Sequence, residues 1–176
     1  MIQFLSAAVI LIGAVAVAAL GLALLAVRRL RLLQEQIALL GTSDFDLPVT
    51  GEPMPEFEAV TTDGGRVSTA DLAGPDVLVL FVDGTCPSCF DAVSTLRELR
   101  RYGDPRPIAV VIGQPAERAA LVAELEPLAR VVEEVSYTGL PARFGVRGFP
   151  AALIVGDGVV RAASHRLDQL DLGVRA

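Results

Sequence analysis

The chain has 176 residues, of which 52% are hydrophobic, and a net charge of −6 at pH 7. An acidic balance disfavours nucleic-acid binding, which calls for basic surface patches. Two cysteines and one histidine cannot supply a network of structural disulfides or the four ligands of a zinc site within one chain, so we predict no metal and no cofactor.

The N-terminal segment is long and apolar. Residues 2–27 carry no charged side chain, and a helix of this length, at about 1.5 Å per residue, spans a hydrocarbon core of ~30 Å. A cleaved signal peptide would have a basic start and a shorter apolar core, so cleavage is the weaker interpretation. We predict a transmembrane helix over residues 1–27 and a single-pass protein of the cell membrane, with the lipid bilayer as a partner.

Three arginines, Arg28, Arg29 and Arg31, follow this segment and begin a predicted juxtamembrane helix over residues 28–40. Basic residues favour the cytoplasmic side of a membrane, so they predict a cytoplasmic C-terminal part. Two cysteines in one short motif suit either an oxidising or a reducing compartment. The residues alone leave the side of the membrane open.

A breaker-rich stretch over residues 41–55 contains three of the prolines and few periodic apolar residues, which is typical of a semi-stiff linker. The remainder, residues 56–176, has the length of one domain with a single core.

Strands and helices alternate in this domain, which predicts an α/β sheet. The predicted strands cover residues 76–82, 107–112, 130–135, 151–155 and 159–164. The predicted helices begin near Cys86 and cover residues 115–125, the latter with Ala119, Leu121, Val122 and Leu125 inward. A short final helix is predicted after His165, and His165 itself is predicted to be exposed. Glu133 and Glu134 are adjacent, so a strand sends them to opposite faces, where they are either solvated or close to the motif described next.

Both cysteines lie in the motif Cys86-Pro87-Ser88-Cys89, between an apolar strand and a helix. The helix N-terminus favours a thiolate at Cys86, because unpaired backbone N–H groups and the helix dipole stabilise a negative charge. Cys89 lies about one helical turn later and faces inward, within reach of a mixed disulfide at Cys86. A disulfide in so short a loop would add little stability. The motif therefore predicts a redox dithiol.

Phe149-Pro150 lies immediately before the apolar strand that starts at Ala151, where a proline is tolerated. Together with the dithiol, this proline resembles the thioredoxin fold, in which a cis-proline loop opposes the C-x-x-C motif and presents its backbone to an extended substrate. By this resemblance Phe149-Pro150 is a cis bond, and both residues bind substrate.

The stretch 51–74 further resembles the start of the soluble domain in membrane-anchored thioredoxin-like proteins of the TlpA and ResA (redoxin) type, and the similarity extends to Arg161. The resemblance implies a central mixed sheet flanked by helices and thiol-disulfide exchange on protein substrates. It also implies a membrane electron donor and a domain outside the cytoplasmic membrane, the opposite of what the arginines predict.

The chain departs from this pattern at two positions. Thr85 stands where many relatives have a tryptophan, and Leu80 stands where thioredoxins have a buried aspartate that helps to deprotonate the inner cysteine. Asp83 is a candidate substitute base, but Asp83-Gly84 is a common turn pair, so the favoured interpretation is a solvated turn residue.

We therefore predict a membrane-anchored thiol-disulfide oxidoreductase that reduces protein disulfides through Cys86 and Cys89. One alternative is a membrane-tethered binding module without redox turnover. A peroxiredoxin-like peroxidase is a weaker alternative, because Asp83 occupies the position of the peroxidase threonine.

Overall fold

The computed structural model describes residues 46–99 and 106–170. All of them belong to the second of the two units into which the chain divides, residues 44–176. Within the described ranges, none of the helices has the length and apolar character needed to cross a membrane. The predicted transmembrane helix (1–27) and juxtamembrane helix (28–40) lie outside the described residues.

The described residues form strands and helices in alternation, as the sequence predicts. The strands are β1 (Glu58–Val60), β2 (Arg66–Ser68), β3 (Val77–Asp83), β4 (Ile108–Ile112), β5 (Arg130–Glu134), β6 (Ala151–Gly156) and β7 (Val159–Ser164). The helices are α1 (Pro87–Leu99), α2 (Pro115–Leu125) and the single turn α3 (Leu140–Arg143), with 3-10 turns at Thr69–Leu72 and Leu167–Gln169. The predicted boundaries differ from these by at most one residue in the five long strands.

The main sheet has the order β5-β4-β3-β6-β7, and β1 pairs with β2 in a separate hairpin. β3, β4 and β5 are parallel, whereas β6 and β7 are antiparallel to their neighbours. Parallel neighbours need a crossover connection, and α2 supplies the one between β4 and β5. This arrangement confirms the predicted mixed α/β sheet.

The central strand β3 is buried along its whole length, which explains its continuous apolar sequence. Val77, Val79 and Phe81 point into one cluster, where the Phe81 ring lies 5.3 Å from that of Phe144. The alternate residues, including Leu80, point to the opposite face of the sheet. There they form a second cluster with the buried side chains of α1 and α2. β3 therefore runs through the centre of the core and ends at Asp83, three residues before Cys86.

The described part of the predicted linker packs against this domain. Gly51 donates its N–H to Val160 at 2.7 Å and Met54 donates to Gly158 at 2.8 Å, while Leu47 is 8% exposed. These bonds pair residues 51–54 with the edge strand β7 and with Gly158 just before it, because an edge strand has unpaired backbone groups.

The inward face of α2 differs from the prediction. Leu121 and Leu125 are buried as predicted, but Ala119 is exposed and Arg118 is buried in its place. Arg118 donates to the carboxylate of Glu133 at 2.8 Å and to the carbonyl of Gly113 at 2.6 Å. Burial of this arginine is tolerated because its charge is paired and its N–H groups are bonded.

Candidate active site

The motif Cys86-Pro87-Ser88-Cys89 joins the end of β3 to the start of α1. The Cys86 N–H donates to the Asp83 carbonyl at 3.2 Å, and the Cys89 N–H donates to the Cys86 carbonyl at 3.1 Å. Pro87 is the first residue of α1, where its missing N–H is not needed. Both cysteines are thiols in this structure; Cys86 is half-buried, whereas Cys89 is 0% exposed.

Cys89 lies in the core cluster that also contains Leu80, Val82 and Val93. Its sulfur accepts a hydrogen bond from the backbone N–H of Asp83 at 3.4 Å. Burial strongly raises the pKa of the Cys89 thiol, and the neighbouring Cys86 adds to that rise, against the opposing effect of the Asp83 N–H. Cys89 is therefore a neutral thiol near pH 7 that must lose its proton before it can react.

Cys86 faces the loop that precedes β6. Its sulfur lies 3.7 Å from the carbonyl oxygen of Phe149 and 3.1 Å from the hydroxyl of Ser88. The Phe149–Pro150 peptide bond is cis, as the resemblance implied. The structure thus brings together all four residues that the sequence singled out, although 63 positions separate Cys86 from Phe149.

His165 contacts the proline loop through a hydrogen bond to Pro150. The prediction that His165 is exposed is therefore wrong. The residue is half-buried, and its Nδ1 donates to the carbonyl of Pro150 at 2.7 Å. A carbonyl oxygen can only accept, so the hydrogen is on Nδ1. The side chain is covered because β7 brings it alongside β6, directly beneath the loop.

Asp83 corrects a second prediction, because it is not a solvated turn residue. It is the last residue of β3 and only 4% exposed. One carboxylate oxygen accepts bonds from the Thr85 N–H at 2.7 Å and the Thr85 hydroxyl at 2.5 Å. The other oxygen accepts a bond from the Tyr137 hydroxyl at 2.5 Å. Burial acts to raise the pKa of Asp83, but these hydrogen bonds outweigh it and lower the pKa, so the carboxylate is ionised.

Tyr137 is the site residue that sequence reasoning missed. It lies in the loop after β5, with 55% of its surface exposed, and its ring packs 5.6 Å from the ring of Phe149. The hydrogen bond to Asp83 raises the pKa of Tyr137, so the phenol stays protonated as a donor. The available signal for Tyr137 was an exposed aromatic residue in a loop. Nothing in the neighbouring sequence connects that residue to the C-x-x-C motif, whose Cys89 lies 48 positions earlier.

A surface cavity of about 550 Å³ opens beside the proline loop. Its lining is mostly apolar with one cationic side chain, from Tyr137, Ala142, Gly145, Val146, Arg147 and Phe149. We call this cavity the Tyr137 cleft.

Glu133 and Glu134 take no part in the candidate active site. Glu133 pairs with Arg118, and Glu134 accepts a hydrogen bond from the Leu140 N–H at 3.3 Å.

No protein-family model and no curated protein matches this sequence. Solved structures do match it. The thioredoxin domain of a thiol-disulfide oxidoreductase from Bacteroides vulgatus is 21% identical with a TM-score of 0.57, over 69% of this chain and 91% of that chain. A thiol:disulfide interchange protein from Bacteroides sp. is 21% identical with a TM-score of 0.52, over 67% and 82%. A DsbF homologue from Corynebacterium diphtheriae is 14% identical with a TM-score of 0.55, over 66% and 78%.

The described domain therefore has a thioredoxin-like fold. In this fold the chain carries a C-x-x-C pair with one half-buried and one fully buried sulfur, opposite a cis-proline loop.

Proposed function

We propose that the protein is a thiol-disulfide oxidoreductase that reduces disulfides in protein substrates through Cys86 and Cys89. The observation that carries this proposal is the asymmetric placement of the two sulfurs. Cys86 is accessible at a helix N-terminus and 3.7 Å from the Phe149 carbonyl, whereas Cys89 is buried one turn behind it. An exposed attacking thiol with a resolving thiol behind it is the arrangement that thiol-disulfide exchange requires.

The reaction has two exchange steps. The Cys86 thiolate attacks one sulfur of the substrate disulfide, which forms a mixed disulfide and releases the other substrate sulfur as a thiolate. Cys89 then loses its proton and attacks the Cys86 sulfur, which releases the second substrate thiolate. The Cys86–Cys89 pair is oxidised by two electrons and the substrate disulfide is reduced by two electrons. A membrane electron carrier that returns two electrons to the pair would complete the cycle.

The substrate lies on the proline loop in this proposal. An extended segment beside the reactive disulfide would pair with the backbone at Phe149 and Pro150 and rest its side chains in the Tyr137 cleft. The apolar lining of the cleft suits apolar side chains next to the substrate cysteine. The apolar segment 2–27 would anchor the chain as a single-pass protein of the cell membrane. The basic residues favour a redox domain on the cytoplasmic side of that membrane, whereas the resemblance favours the outer side.

The reduction potential of the Cys86–Cys89 pair is the first test. The full chain in detergent is equilibrated against glutathione and dithiothreitol buffers, and the fraction of disulfide is read by thiol alkylation. A potential near the thioredoxin value of about −270 mV supports a reductase, and one near about −120 mV indicates a disulfide-forming oxidant. Failure to form the disulfide would contradict both.

A trapping experiment separates the enzyme from a pure binding module. Cys89→Ser removes the resolving thiol, so mixed disulfides at Cys86 should accumulate in cells and be visible on non-reducing gels. Cys86→Ser is the matched control and should trap nothing. A binding module would give the opposite pattern, in which both variants retain a partner without a covalent bond.

A further inference from the structure

The Tyr137 cleft carries a positive charge that no neighbouring side chain neutralises. Arg147 is the charged residue among those that line the cleft, and it is exposed. Within residues 46–99 and 106–170, none of the ion pairs or side-chain hydrogen bonds involves its guanidinium group. The backbone N–H of Arg147 donates to the carbonyl of Asp46 at 2.9 Å. This bond holds the chain in place and leaves the guanidinium group available to a ligand.

Arginines elsewhere in the described ranges are engaged by acceptors of the protein itself. Except for Arg143, each of them donates through its guanidinium group to a carboxylate or to a backbone carbonyl. These engaged residues are Arg66, Arg97, Arg106, Arg118, Arg130, Arg161 and Arg166. Arg143 ends α3 and does not line the cleft. Arg147 is therefore the cation that a segment bound in the cleft would meet, on a chain whose net charge is −6.

The surroundings of Arg147 favour a carboxylate that is attached to an otherwise apolar segment. The Tyr137 hydroxyl is bonded to the buried carboxylate of Asp83 at 2.5 Å, and the Tyr137 ring packs 5.6 Å from the ring of Phe149. The cleft therefore offers rings and apolar side chains beside one guanidinium group. A guanidinium group can bind a carboxylate through two parallel hydrogen bonds. Apolar neighbours strengthen such a pair, because they replace part of the water that would screen it.

The cleft lies within one or two substrate residues of the reacting sulfur. Phe149 lines the cleft, and its carbonyl oxygen is 3.7 Å from the Cys86 sulfur. Arg147 precedes Phe149 by two positions, which is a span of at most about 7 Å along the chain. Neighbouring residues of an extended substrate are about 3.3 Å apart. The substrate side chains that can reach Arg147 are therefore those next to the reactive cysteine.

We propose that Arg147 binds a carboxylate of the substrate, so that the Tyr137 cleft selects extended polypeptide segments with an aspartate or glutamate within two residues of the reactive cysteine. The inference rests on the proposed function, since it names the substrate class of the same site. The ion pair holds the segment against Phe149 while Cys86 attacks the substrate sulfur. It takes no part in the two exchange steps themselves.

The test uses short peptides with blocked termini, in which the cysteine is joined to a 2-thiopyridyl group by a disulfide. The Cys86 thiolate attacks the peptide sulfur, which forms a mixed disulfide with the peptide and releases uncharged thiopyridone. Cys89 then attacks the Cys86 sulfur and releases the peptide as a thiolate. Each peptide is otherwise uncharged and has aspartate, asparagine or lysine at one of the two positions on either side of the cysteine. The absorbance of thiopyridone gives a second-order rate constant for the reduced full chain in non-ionic detergent.

We expect the aspartate peptide to react about 2- to 5-fold faster than the asparagine peptide at one or more of these positions, the effect of an exposed ion pair. Arg147→Gln should bring this ratio to about 1, and Arg147→Glu should make the lysine peptide react faster than the aspartate peptide. Salt at about 1 M should also abolish the preference, because it screens charges beyond about 3 Å. Arg143→Gln is the matched control. It removes the same charge from the same segment, outside the cleft, and should keep the wild-type ratio.

A ratio near 1 at all positions in the wild type would overturn this inference, and so would an equal loss of preference in Arg143→Gln and Arg147→Gln. Either result would leave the proposed function standing, because thiopyridone and the peptide thiol would still be released. The thiopyridyl disulfide of glutathione tests a small thiol with its own carboxylates. If it reacts faster than every peptide and loses that advantage in Arg147→Gln, the polypeptide assignment is wrong.

Failure of the proposed function gives a different result. In that case the wild type releases thiopyridone from no peptide, or it keeps the peptide on Cys86 and never forms the Cys86–Cys89 disulfide, and this inference fails with it. Each comparison is a ratio of two peptides on one protein. A change in the stability of a variant therefore does not alter its meaning.

Discussion

The backbone N–H of Asp83 donates a hydrogen bond to the sulfur of Cys89 at 3.4 Å. This bond joins the last residue of the central strand to the first turn of α1, so the inner cysteine is fixed by the sheet as well as by its own helix. The same residue directs its carboxylate toward Thr85 and Tyr137. Asp83, at the end of β3, therefore contacts the buried cysteine through its backbone and the surrounding loops through its side chain.

The two thiols should differ sharply in reactivity. In the reduced, folded protein we expect iodoacetamide to modify Cys86 and to leave Cys89 unmodified, because Cys89 is 0% exposed and burial raises its pKa. Peptide mass spectrometry after brief labelling measures this difference. Labelling in denaturant is the control and should modify both cysteines equally. Equal labelling of the folded protein would show that the buried position of Cys89 is wrong.

Gly84 should tolerate no side chain. A Cβ at this position would lie 2.7 Å from the backbone carbon and oxygen of Glu117 on α2, and backbone atoms cannot move aside cheaply. We expect Gly84→Ala to lower the free energy of unfolding by about 1–3 kcal/mol, the usual range for overpacking. Gly74→Ala is the matched control, since no atom lies within 4 Å of a Cβ there. Urea unfolding of both variants tests the prediction, and equal midpoints would contradict it.

The two residues of the ion pair between Arg118 and Glu133 should contribute unequally to the free energy of unfolding. Arg118 is buried and also bonds the Gly113 carbonyl, whereas the Glu133 side chain is 42% exposed. Arg118→Met leaves that buried carbonyl without its donor, so we expect a loss of about 1–3 kcal/mol in the free energy of unfolding. Glu133→Gln keeps an acceptor and should lose less than about 1 kcal/mol. Comparable losses in the two variants would argue against the buried role of Arg118.

The stabilising effect of Asp83 should depend on pH. Its pKa is lowered in the folded protein, because hydrogen bonds from Thr85 and Tyr137 outweigh the effect of burial. A carboxyl with a lowered folded pKa stabilises the protein above its unfolded pKa of about 3.9, and this stabilisation is lost as the pH falls through the folded pKa. Asp83→Asn should therefore be less stable than the wild type at pH 7, by about 1–3 kcal/mol.

This difference in stability between Asp83→Asn and the wild type should shrink in acid. Urea unfolding of both proteins at pH 7 and near pH 3 measures it. A difference of the same size at both pH values would mean that the ionised form of Asp83 is not the one that the folded protein stabilises.

Local signals in the sequence predicted the strand and helix order and the dithiol: apolar runs mark the buried strands, and Cys86 and Cys89 are three residues apart. The position of Pro150 directly before a strand is also local, but its cis bond was implied only by the resemblance to the thioredoxin fold. The predicted membrane segment is also a local signal, and it remains a prediction because residues 1–27 lie outside the described part of the chain.

Only the tertiary structure decided the roles of Asp83, Tyr137, His165 and Arg118. Asp83 has the local sequence of a solvated turn, but the loop after β5 covers it with a tyrosine 54 positions away. His165 follows the last strand and reads as exposed, but β7 places it under Pro150. Burial and hydrogen bonding at these positions depend on which strands become neighbours in the sheet, and a pattern within one short segment carries no information about a partner in another.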